Sequence, residues 1–313
     1  MISLIGVEMR RGLARRSTRG LLAVALLGIA VIGVSIFVTS RATFDTAGGL
    51  AEAEADHNRV LADCVGSNGF GGEVRSPGPS LTEACEQAVP PPESFVRDNR
   101  FHLTDLWAVD EGDSILQVTA VFLVIGALMG GATFIGGEWR WGTITTLLTW
   151  EPRRVRVFLA KAAAALLVTF VLGIVLQALV GLSVLPAALW RGTTAGADAE
   201  WFRAASGAVL RASALGAGAA VLGYAVASIG RNTAAALGVA FAYVSVFEAL
   251  VRALKPGWQR WLMGDNGAVF LTGRQLRTAN FERTVLEAAV ILAVYLAATL
   301  AAGAFVFARR DVT

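Results

Sequence analysis

Residues 136–161, GGEWRWGTITTLLTWEPRRVRVFLAK, link two long apolar runs and are the most informative part of this 313-residue chain. The link carries five basic side chains and is too short to form a soluble domain. The flanking runs, residues 114–137 and 162–190, contain no charged residue. Each run exceeds the roughly 20 residues that a helix needs to cross a bilayer. The sequence therefore predicts two membrane-spanning helices joined by a structured connector.

The composition of the whole chain is that of a membrane protein. Hydrophobic residues make up 55% and charged residues 16%, and the mean hydropathy is +0.59. Because the apolar runs are continuous and do not alternate with polar residues, they favour helices over a β-barrel. We predict one all-α transmembrane domain, residues 1–313, with six spans at residues 20–40, 114–137, 162–190, 205–230, 232–251 and 285–308. The first span is predicted to be retained, because it is longer than a signal peptide core and lacks a cleavage site.

The distribution of arginines predicts the orientation in the membrane. Five arginines precede the first span, and only Arg41 immediately follows it. The positive-inside rule therefore places the N-terminus in the cytoplasm, and six spans return the C-terminus to the same side. With this topology the cytoplasmic parts carry 13 Lys/Arg and 4 Asp/Glu, and the outer parts carry 14 and 20. The 25 arginines against two lysines are typical of a GC-rich bacterium, so we expect a bacterial cytoplasmic membrane.

Residues 1–19 are predicted to form an amphipathic interfacial helix. Ile2, Ile5, Met9 and Leu13 recur at helical spacing and share one face. Glu8, Arg11 and Arg15 lie on other faces. Two interpretations stay open at this point. The helix is either a simple anchor attracted to anionic lipid, or an elbow helix, marked by Met9, Arg11, Leu13 and Arg15, that also contacts a cytoplasmic partner.

Two of the outer segments between the spans are long. Residues 41–113 form the larger one, which is acidic and contains both cysteines of the chain, Cys64 and Cys85. In an oxidising compartment this isolated pair predicts a disulfide, worth about 3 kcal/mol in the chain-entropy model. A zinc site is the weaker alternative, since no ligand spacing is recognisable. Residues 252–284 are predicted to form short re-entrant or interfacial helices on the outer side.

The chain shows no enzymatic motif. Metalloprotease, serine hydrolase and phosphate-loop patterns are absent from the sequence. We therefore predict that the chain is not an enzyme, binds no cofactor or metal and does not hydrolyse ATP by itself. Glu248 is the one acidic residue well inside an apolar run. It either forms an ion pair with Arg252 one helical turn later or belongs to a substrate path.

The connector itself holds the candidate functional residues. A short helix ending before Pro152 would lie across the membrane face and present Trp139, Trp141 and a group of threonines. A solvated loop that obeys the positive-inside rule would explain the arginines, but it would not explain Glu138 or the two tryptophans. The predicted site comprises Glu138, Trp139, Arg140, Trp141, Gly142, Thr143, Thr145, Thr146, Pro152, Arg153, Arg154 and Lys161.

The connector resembles that of the permease subunits of ABC exporters of the "ABC-two" family, of an actinobacterial type. The matching pattern is Glu138-x3-Gly142-Thr143-x3-Leu147-x4-Pro152-x3-Arg156-x4-Lys161. The layout is similar too, with a basic N-terminal helix, six spans, a short turn at residues 229–233 and outer helices before the last span. The loop at residues 41–113 is longer than in the simplest members, so the resemblance implies no substrate.

The resemblance implies a role for each part of the connector. Residues 139–150 would be a coupling helix seated in a separate cytoplasmic ABC ATPase, flanked by the N-terminal helix. Glu138 would pair with nearby basic residues. Two permeases, identical or different, would form the translocation path by alternating access, and two ATPase subunits would bind ATP and Mg²⁺. Membrane lipid is the other expected partner, and no nucleic acid is expected.

Two other classes of function stay open. The chain could be a non-transporting sensor or scaffold that uses the outer loop at residues 41–113. It could also be a secondary transporter, but that class would predict inverted repeats and several carboxylates within the spans. Only Glu248 is such a carboxylate, and the sequence shows no repeat.

Overall fold

In the part of the chain that the computed structural model describes, six helices are long and apolar enough to cross a membrane, as the sequence predicts. The structure describes residues 2–40, 46–66, 81–92, 100–108, 114–150, 153–277 and 282–309. Its α-helices and β-strands are, in chain order, α1 (Ile2–Ala14), α2 (Arg16–Thr39), α3 (Thr46–Gly66), α4 (Leu81–Ala88), β1 (Phe101–His102), α5 (Ile115–Arg140), α6 (Thr143–Trp150), α7 (Arg154–Arg191), β2 (Gly192–Thr193), α8 (Ala199–Gly230), α9 (Thr233–Ala242), α10 (Glu248–Leu254), α11 (Met263–Thr272), β3 (Leu276–Arg277), β4 (Glu282–Arg283) and α12 (Val285–Arg309). The candidate spans are α2, α5, α7, α8, the continuous stretch Thr233–Leu254 and α12.

The spans extend past the charged residues at which hydropathy alone would end them. α5 continues through Arg140 and so includes the first residues of the predicted connector. α7 begins at Arg154, upstream of the predicted start at residue 162. α8 begins at Ala199, where the side chain of Asp198 accepts a hydrogen bond from the Trp201 N–H at 2.8 Å and caps the helix. The connector outside the spans is therefore short, and its only α-helix among the described residues is α6.

The stretch Thr233–Leu254 is not a uniform α-helix. A π-helical turn, Tyr243–Phe247, separates α9 from α10. π-helical turns are rare and tend to occur at functional positions because they displace the side chains that follow. The side chain that follows this turn is Glu248, which is buried.

The chain divides into two units, and the larger comprises Met1–Val34, Leu103–Leu185 and Ala195–Thr313. α8 is its central helix and is buried along most of its length. α5 packs against it through glycines, because a Cβ atom at Gly131 would overlap the carbonyl of Ala220 and one at Gly223 would overlap that of Leu128. Such close backbone approach is the usual way for helices to associate in lipid. Both glycines therefore serve packing within the chain.

The smaller unit comprises Ser35–His102 and Pro186–Thr194. The predicted disulfide is present, and Cys64 in α3 is bonded to Cys85 in α4 with a Cα–Cα distance of 6.0 Å. β1 pairs in parallel with β2, with Phe101 opposite Gly192. The Ser40 hydroxyl donates to the Arg191 carbonyl at 2.8 Å and accepts from the Phe101 N–H at 3.0 Å. Residues 41–45, 67–80, 93–99 and 109–113 of the predicted loop lie outside the described residues.

Within residues 252–284, a short 3-10 helix, Pro256–Trp261, is followed by α11 and by a β-ribbon in which β3 pairs antiparallel with β4. The α-helix and the 3-10 helix lie in the segment for which the sequence predicted short helices. The sequence did not predict the β-ribbon, which is only two residues long in each strand.

Candidate functional site

A buried ion cluster joins three separate elements of the larger unit. The ammonium group of Lys161, in α7, donates to Glu8 Oε2 at 2.6 Å and to Glu138 Oε1 at 2.9 Å. Lys161 and Glu8 are 1% exposed and Glu138 is 5% exposed. Because Glu8 lies on α1 and Glu138 on the last turn of α5, one lysine links α1, α5 and α7.

Arg15 extends the cluster at the break between α1 and α2. Its guanidinium donates to Glu138 Oε1 at 2.6 Å and to the carbonyls of Phe134 and Thr133 at 2.6 and 3.2 Å. It also lies 4.8 Å from the centroid of the Phe134 ring. Arg11 makes a longer contact to Glu8, at 3.4 Å. Three cations thus surround two carboxylates, which compensates the cost of burying Glu8 and Glu138.

Such clusters contribute little to net stability but are costly to break. Removing water from buried ions offsets most of their mutual attraction, so an intact pair is often no better than an apolar replacement. Deleting one partner, in contrast, leaves an uncompensated buried charge at a cost of about 3–5 kcal/mol. The cluster therefore fixes the relative positions of α1, α5 and α7.

α6 is anchored beside this cluster. Gly142 has a φ of 65° and makes the turn between α5 and α6. Ile144, at the start of α6, is 1% exposed and belongs to an apolar cluster with residues of α5, α7, α8 and α12, among them Phe158 and Tyr224. Other side chains of the connector are exposed to solvent. Trp141 is 79% exposed, and Thr143 and Thr146 are also exposed. The connector thus combines a fixed inner side with an accessible outer side.

The structure separates the predicted connector residues into groups. Glu138, Trp139 and Arg140 form the last turn of α5 and do not belong to the connector helix, which begins at Thr143. The predicted helix over residues 139–150 is wrong in this respect, because α5 continues to Arg140 and the chain turns at Gly142. Arg153 is exposed, Arg154 begins α7, and Lys161 lies inside α7. Pro152 and the side chain of Thr145 lie outside the described residues.

The described residues of the apolar face predicted for the N-terminal helix, Ile5, Met9 and Leu13, are not fully buried within the protein. Met9 is half-buried, while Leu13 and Arg11 are exposed. Glu8, which is not among the predicted site residues, is buried at the centre of the ion cluster. One signal was available, since Glu8 is the sole acidic residue in the basic segment 1–19. Its partner Lys161 is 153 residues away, which periodicity cannot reveal.

Two buried polar atoms beside the cluster have no hydrogen-bond partner among the described residues, Glu138 Oε2 and Trp139 Nε1. The Trp139 ring packs edge-on against Phe307 at 6.2 Å, and Arg231 lies over it at 4.9 Å. Buried polar atoms are nearly always paired in native structures. This donor and acceptor are therefore candidate contacts for a ligand or a partner at the end of α5.

Glu248 forms a second buried site. Its carboxylate accepts from Arg252 at 2.8 Å and from the N–H of Gly264 at 2.8 Å. α11 lacks a side-chain cap of its own at Leu262, so Glu248 caps it from another helix. Arg252 also contacts Asp265 at 3.1 Å. The ion pair, one of the two interpretations of the sequence, is present and holds α11 against α10.

Nothing in the described part of the chain resembles a metal centre, because no group of three or more His, Cys, Asp or Glu side chains there could hold an ion. Residues 97–313 match the family described as "Protein of unknown function (DUF2705)". The chain belongs to the DUF2705 family. The DUF2705 match includes Glu138, Lys161 and Glu248 and excludes Glu8 and Arg15. No curated protein and no solved structure matches this DUF2705 chain significantly.

Proposed function

We propose that this chain is the membrane-spanning permease subunit of an ATP-driven exporter, and that its connector transmits force from a separate cytoplasmic ATPase. The observation that carries the proposal is the buried cluster of Glu8, Glu138, Lys161 and Arg15 next to an exposed short helix. The cluster fixes the helix ends on either side of α6, while Trp141, Thr143 and Thr146 remain accessible to a partner.

The geometry suits force transmission. A partner that displaces α6 would act on the apolar cluster through Ile144, whose burial is worth about 2 kcal/mol. The same displacement would act on α5 through the tight turn at Gly142. Since Lys161 ties α5 to α7 and α1, the three elements would move together rather than separately. ATP and Mg²⁺ would bind to the ATPase, and its closure would shift the permease between two conformations.

Trp141 is the residue on which we base the test. It is 79% exposed, and tryptophan is the residue type most enriched among energetically dominant interface contacts. The chain should be co-purified in detergent with a candidate ABC ATPase subunit from the same organism. Trp141→Ala should weaken assembly at least about 30-fold, which corresponds to a loss of 2 kcal/mol, and should lower ATPase activity that depends on the permease.

Trp258→Ala is the matched control. Trp258 is 62% exposed and lies in the 3-10 helix Pro256–Trp261, on the predicted outer side. It should leave assembly and ATPase activity unchanged. Equal effects of the two substitutions on assembly would refute the coupling role of the connector. The fold of both variants is checked by their thermal unfolding midpoints.

The second candidate function is a non-transporting sensor or scaffold. The disulfide between α3 and α4, with the small apolar cluster around Cys64, Cys85 and Val89, makes a stable outer element that a receptor would need. A chain that assembles with no ATPase, but binds a partner through residues 46–92, would support this function instead. A secondary transporter is less favoured, because Glu248 already caps α11 and pairs with Arg252.

A further inference from the structure

A cleft of about 1140 Å³ lies at the end of α5, next to the ion cluster. Four candidate spans begin or end there. α2 begins at Arg16 and α9 at Thr233, while α5 ends at Arg140 and α8 at Gly230. Residues from each of these helix ends or from the turns beside them line the cleft. In a bilayer the ends of spanning helices lie where the hydrocarbon core meets the headgroups, so the cleft lies at headgroup depth.

The lining of the cleft is strongly basic. Four arginines contribute to it, Arg15, Arg16, Arg140 and Arg231. Its acidic lining residue, Glu138, is already paired with Arg15 and with Lys161. The lining therefore carries an excess of positive charge. Guanidinium groups favour phosphate because they can donate two parallel hydrogen bonds to its oxygens.

Two tryptophans also line the cleft, and tryptophan is typical of the headgroup depth at which the cleft is placed. Trp139 and Trp141 both border the cleft, and indole rings concentrate at the membrane interface. Trp139 Nε1 is a buried donor without an acceptor among the described residues. Arg231 lies over the Trp139 ring at 4.9 Å, in a left-handed backbone conformation with φ of 53° that ends α8. This contact holds one guanidinium at the cleft wall before any ligand arrives.

We propose that this cleft binds the phosphate headgroup of an anionic phospholipid. Basic pockets between spanning helices are a known means of headgroup recognition. The volume exceeds that of a phosphate ion and leaves room for the glycerol of a headgroup. Free phosphate shares the same chemistry, but the position at the ends of four spans favours a ligand that is concentrated in the membrane. The proposal is independent of any ATPase partner.

The test measures lipid binding to the purified chain in neutral detergent by native mass spectrometry. The probes are phosphatidylglycerol, phosphatidylcholine with the same acyl chains, and inorganic phosphate as competitor. The test variant is Arg16→Gln with Arg140→Gln, which removes two exposed arginines of the lining. The matched control is Arg10→Gln with Arg19→Gln, which removes two exposed arginines of the N-terminal basic segment that are not among the residues lining the cleft.

We expect phosphatidylglycerol to bind in preference to phosphatidylcholine, and the cleft variant to bind it at least about tenfold more weakly than the control variant. Both variants should keep the wild-type thermal unfolding midpoint, since the substituted side chains are exposed. Equal weakening in the two variants would overturn the proposal, because it would show general charge attraction only. Equal binding of phosphatidylcholine, or displacement of the lipid by equimolar inorganic phosphate, would also overturn it.

Discussion

Replacing Lys161 with methionine gives the sharpest test of the ion cluster. The substitution removes the ammonium group that contacts Glu8 at 2.6 Å and Glu138 at 2.9 Å, and it leaves an apolar side chain of similar length. Both carboxylates would remain buried. Glu138 would keep Arg15, and among the described residues Glu8 would keep only the 3.4 Å contact to Arg11. Because these contacts compensate part of the loss, we expect the lower end of the known range, about 3 kcal/mol of unfolding free energy.

The assay is reversible unfolding in mixed detergent micelles, followed by circular dichroism as the fraction of denaturing detergent rises. Lys255→Met is the control, because Lys255 is the chain's other lysine and is exposed. It should change the unfolding free energy by less than about 0.5 kcal/mol. The double variant Glu8→Gln with Lys161→Met completes a double-mutant cycle. Adding Glu8→Gln to Lys161→Met should recover about 1–3 kcal/mol of unfolding free energy, because it removes the buried carboxylate charge of Glu8.

Two results would refute this reasoning. The first is a loss of less than about 1 kcal/mol for Lys161→Met, which would mean that the carboxylates are solvated or protonated without it. The second is strict additivity of Glu8→Gln and Lys161→Met, which would mean that α1 is not held by this pair.

Two further predictions concern packing and orientation. Gly131→Ala should lower the unfolding free energy by about 1–3 kcal/mol, because its Cβ would meet the α8 backbone. The control is Gly126→Ala in the same helix, whose Cβ would meet nothing within 4 Å and which should be neutral or stabilising by up to about 1 kcal/mol. Opposite results in the same detergent assay would contradict this packing. The orientation is tested in a chain whose Cys64 and Cys85 are both replaced by serine. A membrane-impermeant maleimide should label Trp258→Cys in intact cells and Trp141→Cys only after permeabilisation. The reverse labelling pattern would show that the predicted topology is inverted.

The sequence predicts the spans well because the bilayer imposes a length and a composition on them. All six predicted runs correspond to helices of the structure. The errors lie at the ends, where charged residues are helical. α7 begins at Arg154 rather than at residue 162, and α5 includes Glu138. A hydropathy profile places the end of a span at the first charged residue, whereas the helix itself ends where its backbone groups no longer find intrahelical hydrogen-bond partners.

The candidate site could be predicted only in part. Glu138 and Lys161 follow from the connector pattern, and the disulfide follows from the only two cysteines. Glu8 could not be found, because its burial depends on a lysine far along the chain that no local pattern specifies. Arg231 was also missed, since a single arginine in a short turn looks like an ordinary cytoplasmic flank, and its position over Trp139 is a property of the tertiary fold.

The buried cluster also shows that the N-terminal helix is bonded to the two helices that flank the connector. The DUF2705 match begins at residue 97, after α1 and α2. Within the match, Lys161 has Glu138 as its partner, but both of its buried contacts are satisfied only when α1 supplies Glu8. Arg15, which neutralises Glu138 from the other side, also lies before the match. Since Met1–Val34 falls in the same unit as α5 and α7, part of the charge compensation of the matched region comes from residues that precede it.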